Sequence, residues 1–229
     1  MTRPISLSLA LCLSCLLPSL APAQDAGIPL PFTARGNEPF WSLTIAPEGI
    51  TYQDMEGATA TAPYTAPLEH KDGTLLYDTP AGPLGLSRGL CHDDMSGMAY
   101  PYSVTLTRSD TILSGCAGDP DTLLAGDWTA TTLNGAPLPD GTSGTLSFLD
   151  GRILGNSGCN RLIGSYTLTG EGLTLGNIGA TKMACPAPQM ETEQAVFSAL
   201  AAITQFDIAE DGALLLKSDE ATTLLTATR

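Results

Sequence analysis

Short stretches of alternating apolar and polar residues predict that the chain is built mainly from β-strands. Residues 41–45 and 50–52 alternate with a period of two, and the turn-forming residues 46–49 lie between them, which predicts a hairpin. The same alternation returns at residues 102–106. Shorter apolar runs, at residues 74–79 and 84–86, are bounded by Gly and Pro and predict further strands.

A second group of strands, joined by tight turns, is predicted after residue 120. Asn134-Gly135 and Asp150-Gly151 favour hairpin turns because these residue types tolerate a positive φ. Asp211-Gly212 joins the last predicted pair in the same way. No sequence repeat links the two halves of the chain. In chain order, the predicted strands cover residues 127–133, 145–149, 152–154, 165–168, 173–175, 206–208 and 214–216.

One segment, residues 189–203, has the periodicity of a helix. The apolar Val196 and Leu200 are four residues apart, so they lie on one helical face. Glu191 and Glu193 occupy the first turns, where the helix dipole favours negative charge. The sequence therefore predicts a mainly β protein with one substantial helix.

The N-terminus has the features of a cleavable signal peptide. Arg3 provides the basic start, residues 5–20 are mostly apolar, and Ala21-Pro22-Ala23 is a cleavage pattern. The apolar run is too short to span a bilayer and no later segment comes near that length, so we expect no transmembrane helix. Acylation of Cys15 is disfavoured because the residues before it form a poor lipobox. We therefore expect a periplasmic or secreted protein cleaved after Ala23.

The charge of the mature chain restricts its partners. Without residues 1–23 the chain has 9 Lys and Arg against 24 Asp and Glu, a net charge of −15. Such a protein repels nucleic acid and anionic lipid and could be attracted to a basic protein or a cation. The charge could equally serve only to keep an exported protein in solution.

Four cysteines, Cys91, Cys116, Cys159 and Cys185, remain after signal cleavage, and they allow three disulfide pairings. A turn-rich segment at residues 115–121 precedes a new strand pattern, which places a domain boundary near Pro120. The predicted organisation is a signal peptide (1–23), an N-terminal β domain (24–119) and a C-terminal domain (120–229). Pairs within each domain, Cys91 with Cys116 and Cys159 with Cys185, are therefore favoured in an oxidising compartment.

The second domain resembles the META domain, the family of the heat-shock protein HslJ. The resemblance is carried by Gly126-Asp127-Trp128, by residues 155–161 (GNSGCNR), by residues 181–186 (TKMACP) and by residues 190–193 (METE). It implies a small open β-barrel with one helix, and a link to stress and antibiotic tolerance. The predicted fold class is therefore mainly β, with two small antiparallel β-barrel-like domains, of which the second carries one α-helix.

The first domain resembles an envelope-protein module that often accompanies META domains. The matching residues are 34–41 (ARGNEPFW), 91–97 (CHDDMSG), Tyr100-Pro101 and Gly115-Cys116. Within this stretch, Ser96, Gly97 and Tyr100 are also similar to the Ser-Gly-x-x-Tyr motif of the membrane-bound C-type lysozyme inhibitor family. Inhibition of a basic protein such as lysozyme, by a loop carrying Ser96 and Tyr100, is therefore an alternative function.

Catalytic and cofactor motifs are weak in this sequence. The mature chain has two histidines, His70 and His92, and no Gly-x-Ser-x-Gly elbow, so a hydrolase is a minority alternative. Residues 91–94 (CHDD) could hold a metal ion only within a tight turn, and an exposed polar loop is the favoured interpretation. Residues 155–158 lack the Gly-Lys-Ser/Thr ending of a phosphate loop.

These observations together favour a non-enzymatic envelope protein. It would be exported, related to stress or antibiotic tolerance, and would bind an unidentified envelope protein or small ligand. We predict no cofactor and no metal. Trp41 and Trp128 each lie near the start of a domain's first recognised strand and are predicted to be core residues rather than the wall of a ligand cavity.

Overall fold

The computed structural model describes residues 28–229. The predicted signal peptide, its cleavage site and Cys15 lie outside the described residues. Within residues 28–229, the helices are too short or too polar for any of them to cross a membrane.

The first half of the described chain forms one antiparallel sheet of nine strands. The strands lie in the order β4-β3-β2-β1-β9-β8-β7-β6-β5. The chain therefore starts in the middle of the sheet, and the first strand pairs with the last, Arg35 opposite Cys116. The strands are β1 (Phe32–Asn37), β2 (Phe40–Ala46), β3 (Gly49–Asp54), β4 (Thr59–Ala62), β5 (Leu68–Glu69), β6 (Leu75–Tyr77), β7 (Leu84–His92), β8 (Ala99–Arg108) and β9 (Thr111–Ala117).

The second half forms an antiparallel sheet of ten strands and carries the helices α1 (Asp121–Leu124) and α2 (Ala187–Ala202). Its main path is β15-β14-β13-β12-β10-β19-β18-β17, with β11 on β10 and β16 on β14. The strands are β10 (Gly126–Leu133), β11 (Ala136–Pro137), β12 (Gly144–Leu149), β13 (Arg152–Ser157), β14 (Arg161–Thr169), β15 (Gly172–Leu175), β16 (Gly179–Ala180), β17 (Gln205–Ile208), β18 (Leu214–Lys217) and β19 (Thr223–Thr228).

The second sheet curls until its two ends meet. The Leu173 amide of β15 donates a hydrogen bond to the Thr204 carbonyl oxygen, 2.7 Å away, just before β17. As in the first sheet, the first strand, β10, pairs with the last, β19. The predicted fold class, mainly β with two antiparallel barrel-like sheets, is confirmed.

The period-two pattern identified the buried faces of the strands correctly. Trp41, Leu43 and Ile45 are all buried in the first sheet, and Trp128 is buried in the second. The Trp128 indole Nε1 also donates to the Leu124 carbonyl oxygen at 2.8 Å, which satisfies its polar atom. Both tryptophans are core residues, as predicted.

The helical periodicity was also read correctly, with small differences at the ends. Helix α2 begins two residues before the predicted position, directly after Pro186, and it buries Val196 and Leu200. Pro188, in the first turn of α2, is well suited to its position because its fixed φ fits the start of a helix. The single turn α1 was not predicted, because four residues are too few to show a period.

Several strands lack a recognisable alternation and were missed. Residues 115–117 were assigned to a turn, but they form the end of β9. This assignment is corrected by the hydrogen bonding: β9 lies between β1 and β8, so its backbone groups are paired on both sides despite the glycine. The other missed strands are β1, β4, β5, β11, β16 and β19.

Both disulfides form the pairs favoured by the sequence. Cys91 is joined to Cys116, with the Cα atoms 5.6 Å apart, and links the two strands that flank β8. Cys159 is joined to Cys185, with the Cα atoms 6.0 Å apart, and links the turn after β13 to the start of α2. Each bond closes a loop within one sheet's segment of the chain.

The two sheets share part of one hydrophobic core. Met98, Ala99 and Tyr100, at the start of β8, are buried in the same cluster as Leu124 and Trp128 of the second half. Successive strand residues point to opposite faces, so the burial of both Ala99 and Tyr100 shows that β8 is covered on both sides here. The remainder of the first sheet has its own core around Trp41.

We propose the boundary at residues 119 and 120 as a division into two domains, because the strands of each sheet lie wholly on one side of it. Because the two halves share this cluster, separating them should lower the free energy of unfolding of the second half. A fragment of residues 120–229 should fold cooperatively but lose about 3 kcal/mol of stability, since the partners of its core from β8 are absent. Thermal and urea unfolding of the fragment and of the whole chain measure this difference. Equal stability would show that the β8 contact contributes nothing.

Candidate functional site

The motif residues of the first domain lie where the end of β7 is joined to β1 and to β9. The Asn37 amide donates to the Asp93 carboxylate at 2.9 Å, which joins the two longer motif segments. Gly36 and Gly115 leave no room for a side chain, because the backbone of the neighbouring strand is too close. A Cβ on Gly115 would lie 2.1 Å from the Arg35 carbonyl oxygen. The motif residues therefore hold these strands together, beside a small cleft of about 240 Å³.

The segment proposed as an inhibitory loop is a turn organised by Asp93. The Asp93 carboxylate accepts hydrogen bonds from the Ser96 amide at 2.9 Å and from the Ser96 hydroxyl at 3.0 Å. Gly97 has a φ of +69°, and its amide donates to the Asp93 carbonyl oxygen. Burial raises the pKa of Asp93, but hydrogen bonds from Ser96, Asn37 and Met95 outweigh it and the pKa is lowered overall. Ser96 and Gly97 are thus engaged within the turn.

Tyr100, unlike the residues of this turn, is buried. Its side chain is only 2% exposed and packs in the shared core, so it does not project from the surface with Ser96. Its ring faces the guanidinium of Arg35, whose Cζ lies 5.8 Å from the ring centroid. The three candidate interaction residues therefore do not form one exposed surface.

His92 connects the two domains. Its Nε2 forms a hydrogen bond of 2.8 Å with Oδ1 of Asp207 on β17, and Lys217 Nζ lies 2.7 Å from the other carboxylate oxygen. Burial raises the pKa of Asp207, but the bonds from Lys217 and His92 lower it overall. His92 therefore has a structural partner in the second domain.

The motif residues of the second domain form one hydrogen-bonded joint around Asn160, which is 1% exposed. The Asn160 amide nitrogen donates to the Met183 carbonyl oxygen at 3.3 Å and to Glu193 Oε1 at 3.1 Å. Its amide oxygen accepts from the Thr181 hydroxyl and the Met183 amide, both at 2.7 Å. One side chain thus joins the turn after β13, the segment before α2 and α2 itself.

Glu193 completes this joint from the helix. Its Oε2 accepts hydrogen bonds from the Ser157 hydroxyl at 2.6 Å and from the backbone N–H of Asn160 at 2.9 Å. Burial raises the pKa of Glu193, but these hydrogen bonds outweigh it and lower the pKa below the ordinary value of 4.5. The sequence placed Glu193 in the first helical turns but gave no sign of this partner.

The glycines of residues 155–158 have structural roles. Gly155 lies within β13, where a Cβ would be 2.0 Å from the Thr145 carbonyl oxygen. Gly158 has a φ of +102° in the turn beside the disulfide cysteine Cys159. The prediction of a tight turn holds for Gly158, whereas Gly155 is required by a close strand approach.

A cavity with a volume of about 700 Å³ lies between the two domains. The first domain contributes aromatic and proline side chains together with Arg35, and the second contributes the turn between β14 and β15. Its wall includes Pro31, Phe32, Arg35, Tyr100, Tyr102, Asp119, Pro120, Leu168 and Gly170. This volume is within the range of sites that bind small molecules.

Two hydrogen-bond donors in this cavity converge on one point. A Cβ added to Gly170 would lie 3.3 Å from Arg35 Nη1 and 3.6 Å from the Tyr100 hydroxyl. Burial raises the pKa of Tyr100 above 10.0, although the nearby Arg35 charge acts in the opposite direction. The hydroxyl is therefore protonated at neutral pH and can donate a hydrogen bond.

The described residues offer no assembled metal centre. Among residues 28–229, no group of three or more His, Cys, Asp or Glu side chains could hold a metal ion. Of the residues weighed as a metal site, Cys91 is in a disulfide, His92 pairs with Asp207, and Asp93 organises its own turn. His70 is exposed in the turn between β5 and β6.

Comparison with known proteins identifies the second half of the chain. Residues 121–229 match the family model of the META domain, so the C-terminal domain is a META domain. An NMR structure of a protein from Burkholderia xenovorans is 28% identical, with a TM-score of 0.40, over 48% of this chain and 88% of that chain. A comparison with curated proteins gives no match.

The joint around Asn160 predicts a pH-dependent contribution to stability. Because the folded state lowers the pKa of Glu193, its stabilisation is fully present above pH 4.5 and is lost as the pH falls through the lower folded value. Glu193→Gln should cost about 1 kcal/mol at pH 7 and less at acid pH. Unfolding free energies measured from pH 7 to pH 3 test this. The exposed Glu191→Gln is the matched control, and an equal loss in both variants would contradict the assignment.

Proposed function

We propose that this protein is an exported, non-enzymatic binding protein of the cell envelope, and that its ligand occupies the cavity between the META domain and the N-terminal domain. The observation that carries the proposal is the cavity itself, with its aromatic and proline wall and the two donors, Arg35 and Tyr100, that converge beside Gly170. Such a composition is typical of small-molecule sites, in which apolar surface provides affinity and a few polar atoms fix orientation.

A binding role agrees with the placement of the reactive side chains. Among residues 28–229, no serine or threonine hydroxyl forms a hydrogen bond with His92 or with the exposed His70, so neither histidine has a paired nucleophile. The four cysteines of the mature chain are paired in disulfides, so none is available as a nucleophile. These disulfides also support export to an oxidising compartment. A role in stress or antibiotic tolerance is the expectation that accompanies the META domain.

Lysozyme inhibition has less support as an alternative. A protruding loop would need Ser96 and Tyr100 at the surface, but Ser96 is bound to Asp93 and Tyr100 is buried against the second domain. The acidic charge that would attract a basic enzyme is present, yet the motif residues are engaged within the chain.

Filling the cavity should abolish binding. Gly170→Leu places a side chain between Arg35 and the Tyr100 hydroxyl, at a turn position whose backbone does not require glycine. The neutral dye N-phenyl-1-naphthylamine should bind the wild-type chain with enhanced fluorescence, and the variant should lose about tenfold or more in affinity.

The control for this test is the same substitution outside the cavity. Gly179 lies on the exposed strand β16, where a Cβ would meet only the Ile163 carbonyl oxygen, 3.9 Å away. Gly179→Leu should bind the dye like the wild type. If Gly170→Leu binds the dye as tightly as the wild type does, the cavity is not the binding site.

A further inference from the structure

Arg35 is a half-buried cation on the cavity wall, without an acidic partner. The ion pairs of the described chain are His92 with Asp207, Lys217 with Asp207 and Arg108 with Asp54. Within the described residues, Arg35 contacts the Tyr100 ring but no carboxylate within 4.0 Å. Because no described carboxylate forms an ion pair with it, although Asp119 lies on the same wall, the Arg35 guanidinium is available to a ligand.

Tyr100 provides a second unused donor at the same place. Its phenol oxygen lies on the same side of the Gly170 turn as Arg35 Nη1. Among residues 28–229 the hydroxyl makes no protein hydrogen bond, unlike the hydroxyl of Tyr166, which donates to Asp121 at 2.6 Å. A guanidinium and a phenol that face one point are a suitable pair of donors for the oxygens of a single anionic group.

The rest of the wall combines apolar surface with threonine hydroxyls. Pro31, Tyr102 and Leu168 contribute apolar surface, and Arg35 is the cation among the lining residues. The remaining charged residue, Asp119, accepts a hydrogen bond from the Asp121 amide and would repel a second negative charge.

From this arrangement we infer that the cavity binds organic monoanions: an apolar body packs on the apolar part of the wall, and one carboxylate or sulfonate accepts hydrogen bonds from Arg35 and Tyr100. This inference rests on the proposed binding function and adds the chemical class of the ligand. Arg35 is the specificity determinant, because it distinguishes a charged ligand from a neutral one of the same shape.

Two dyes of matched shape test the inference. 8-Anilino-1-naphthalenesulfonate has one sulfonate, whereas N-phenyl-1-naphthylamine has the same rings without it. The wild-type chain should bind the sulfonate more tightly. Arg35→Gln should weaken sulfonate binding about tenfold and leave the neutral dye unchanged, because only the charged contact is lost. Arg35→Lys should restore part of the affinity, and Tyr100→Phe should weaken sulfonate binding severalfold.

Controls separate this inference from the proposed function. Arg152→Gln removes the same charge at an exposed position outside the cavity and should change neither affinity. Thermal unfolding of each variant shows whether the fold is kept. If Arg35→Gln leaves sulfonate binding unchanged while Gly170→Leu abolishes binding of both dyes, the charge preference is wrong and the binding site stands. If the wild type binds neither dye, both proposals fail.

Discussion

The packing of the start of β8 into the core of the second domain determines the arrangement of the whole molecule. Ala99 and Tyr100 belong to the first sheet by hydrogen bonding and, together with the preceding Met98, to the second core by burial. The Cys91–Cys116 disulfide links the strands on either side of β8, and the bond from His92 to Asp207 holds the end of β7 against β17. Covalent, polar and apolar contacts thus act on one short region. A rigid junction of this kind is needed for a cavity between domains, since loosely joined domains move relative to one another by default.

The junction also explains why Arg35 remains without an acidic partner. Its strand, β1, is paired on one side with β2 and on the other with β9, so its backbone position is fixed by two ladders. Its side chain lies beside the Tyr100 ring, which the second domain buries. The ring interaction stabilises the cation without neutralising it, as a carboxylate would. The charge is therefore open to the ligand that we propose.

Most of the fold could be predicted because buried strands and helices show a periodic pattern over a few neighbouring residues. The cavity could not be predicted because its residues are far apart in the sequence and form no such pattern. The alternation around Trp41 and the helical spacing of Val196 and Leu200 depend on neighbours within a few residues, and both were confirmed. Strand β9 escaped recognition because its pairing with the distant β1 decides its conformation. Arg35 appeared within a motif, but its proximity to Tyr100, 65 positions later, requires the folded sheet. The contact between Asn160 and Glu193 could not be predicted for the same reason, because the two residues are 33 positions apart.

The most recognisable residues of the META domain build its fold rather than the proposed binding site. Asn160, Thr181 and Glu193 form a buried joint that holds α2 on the sheet, and their polar atoms are occupied by one another. The cavity instead takes from this domain the turn at Gly170 with its neighbours and the segment of Pro120 and Thr122, while its cation and aromatic wall come from the first domain. A META domain joined to a different neighbour would retain the joint and lose the cavity. The family match therefore predicts the architecture of residues 121–229, whereas ligand chemistry must be read from the pair of domains together.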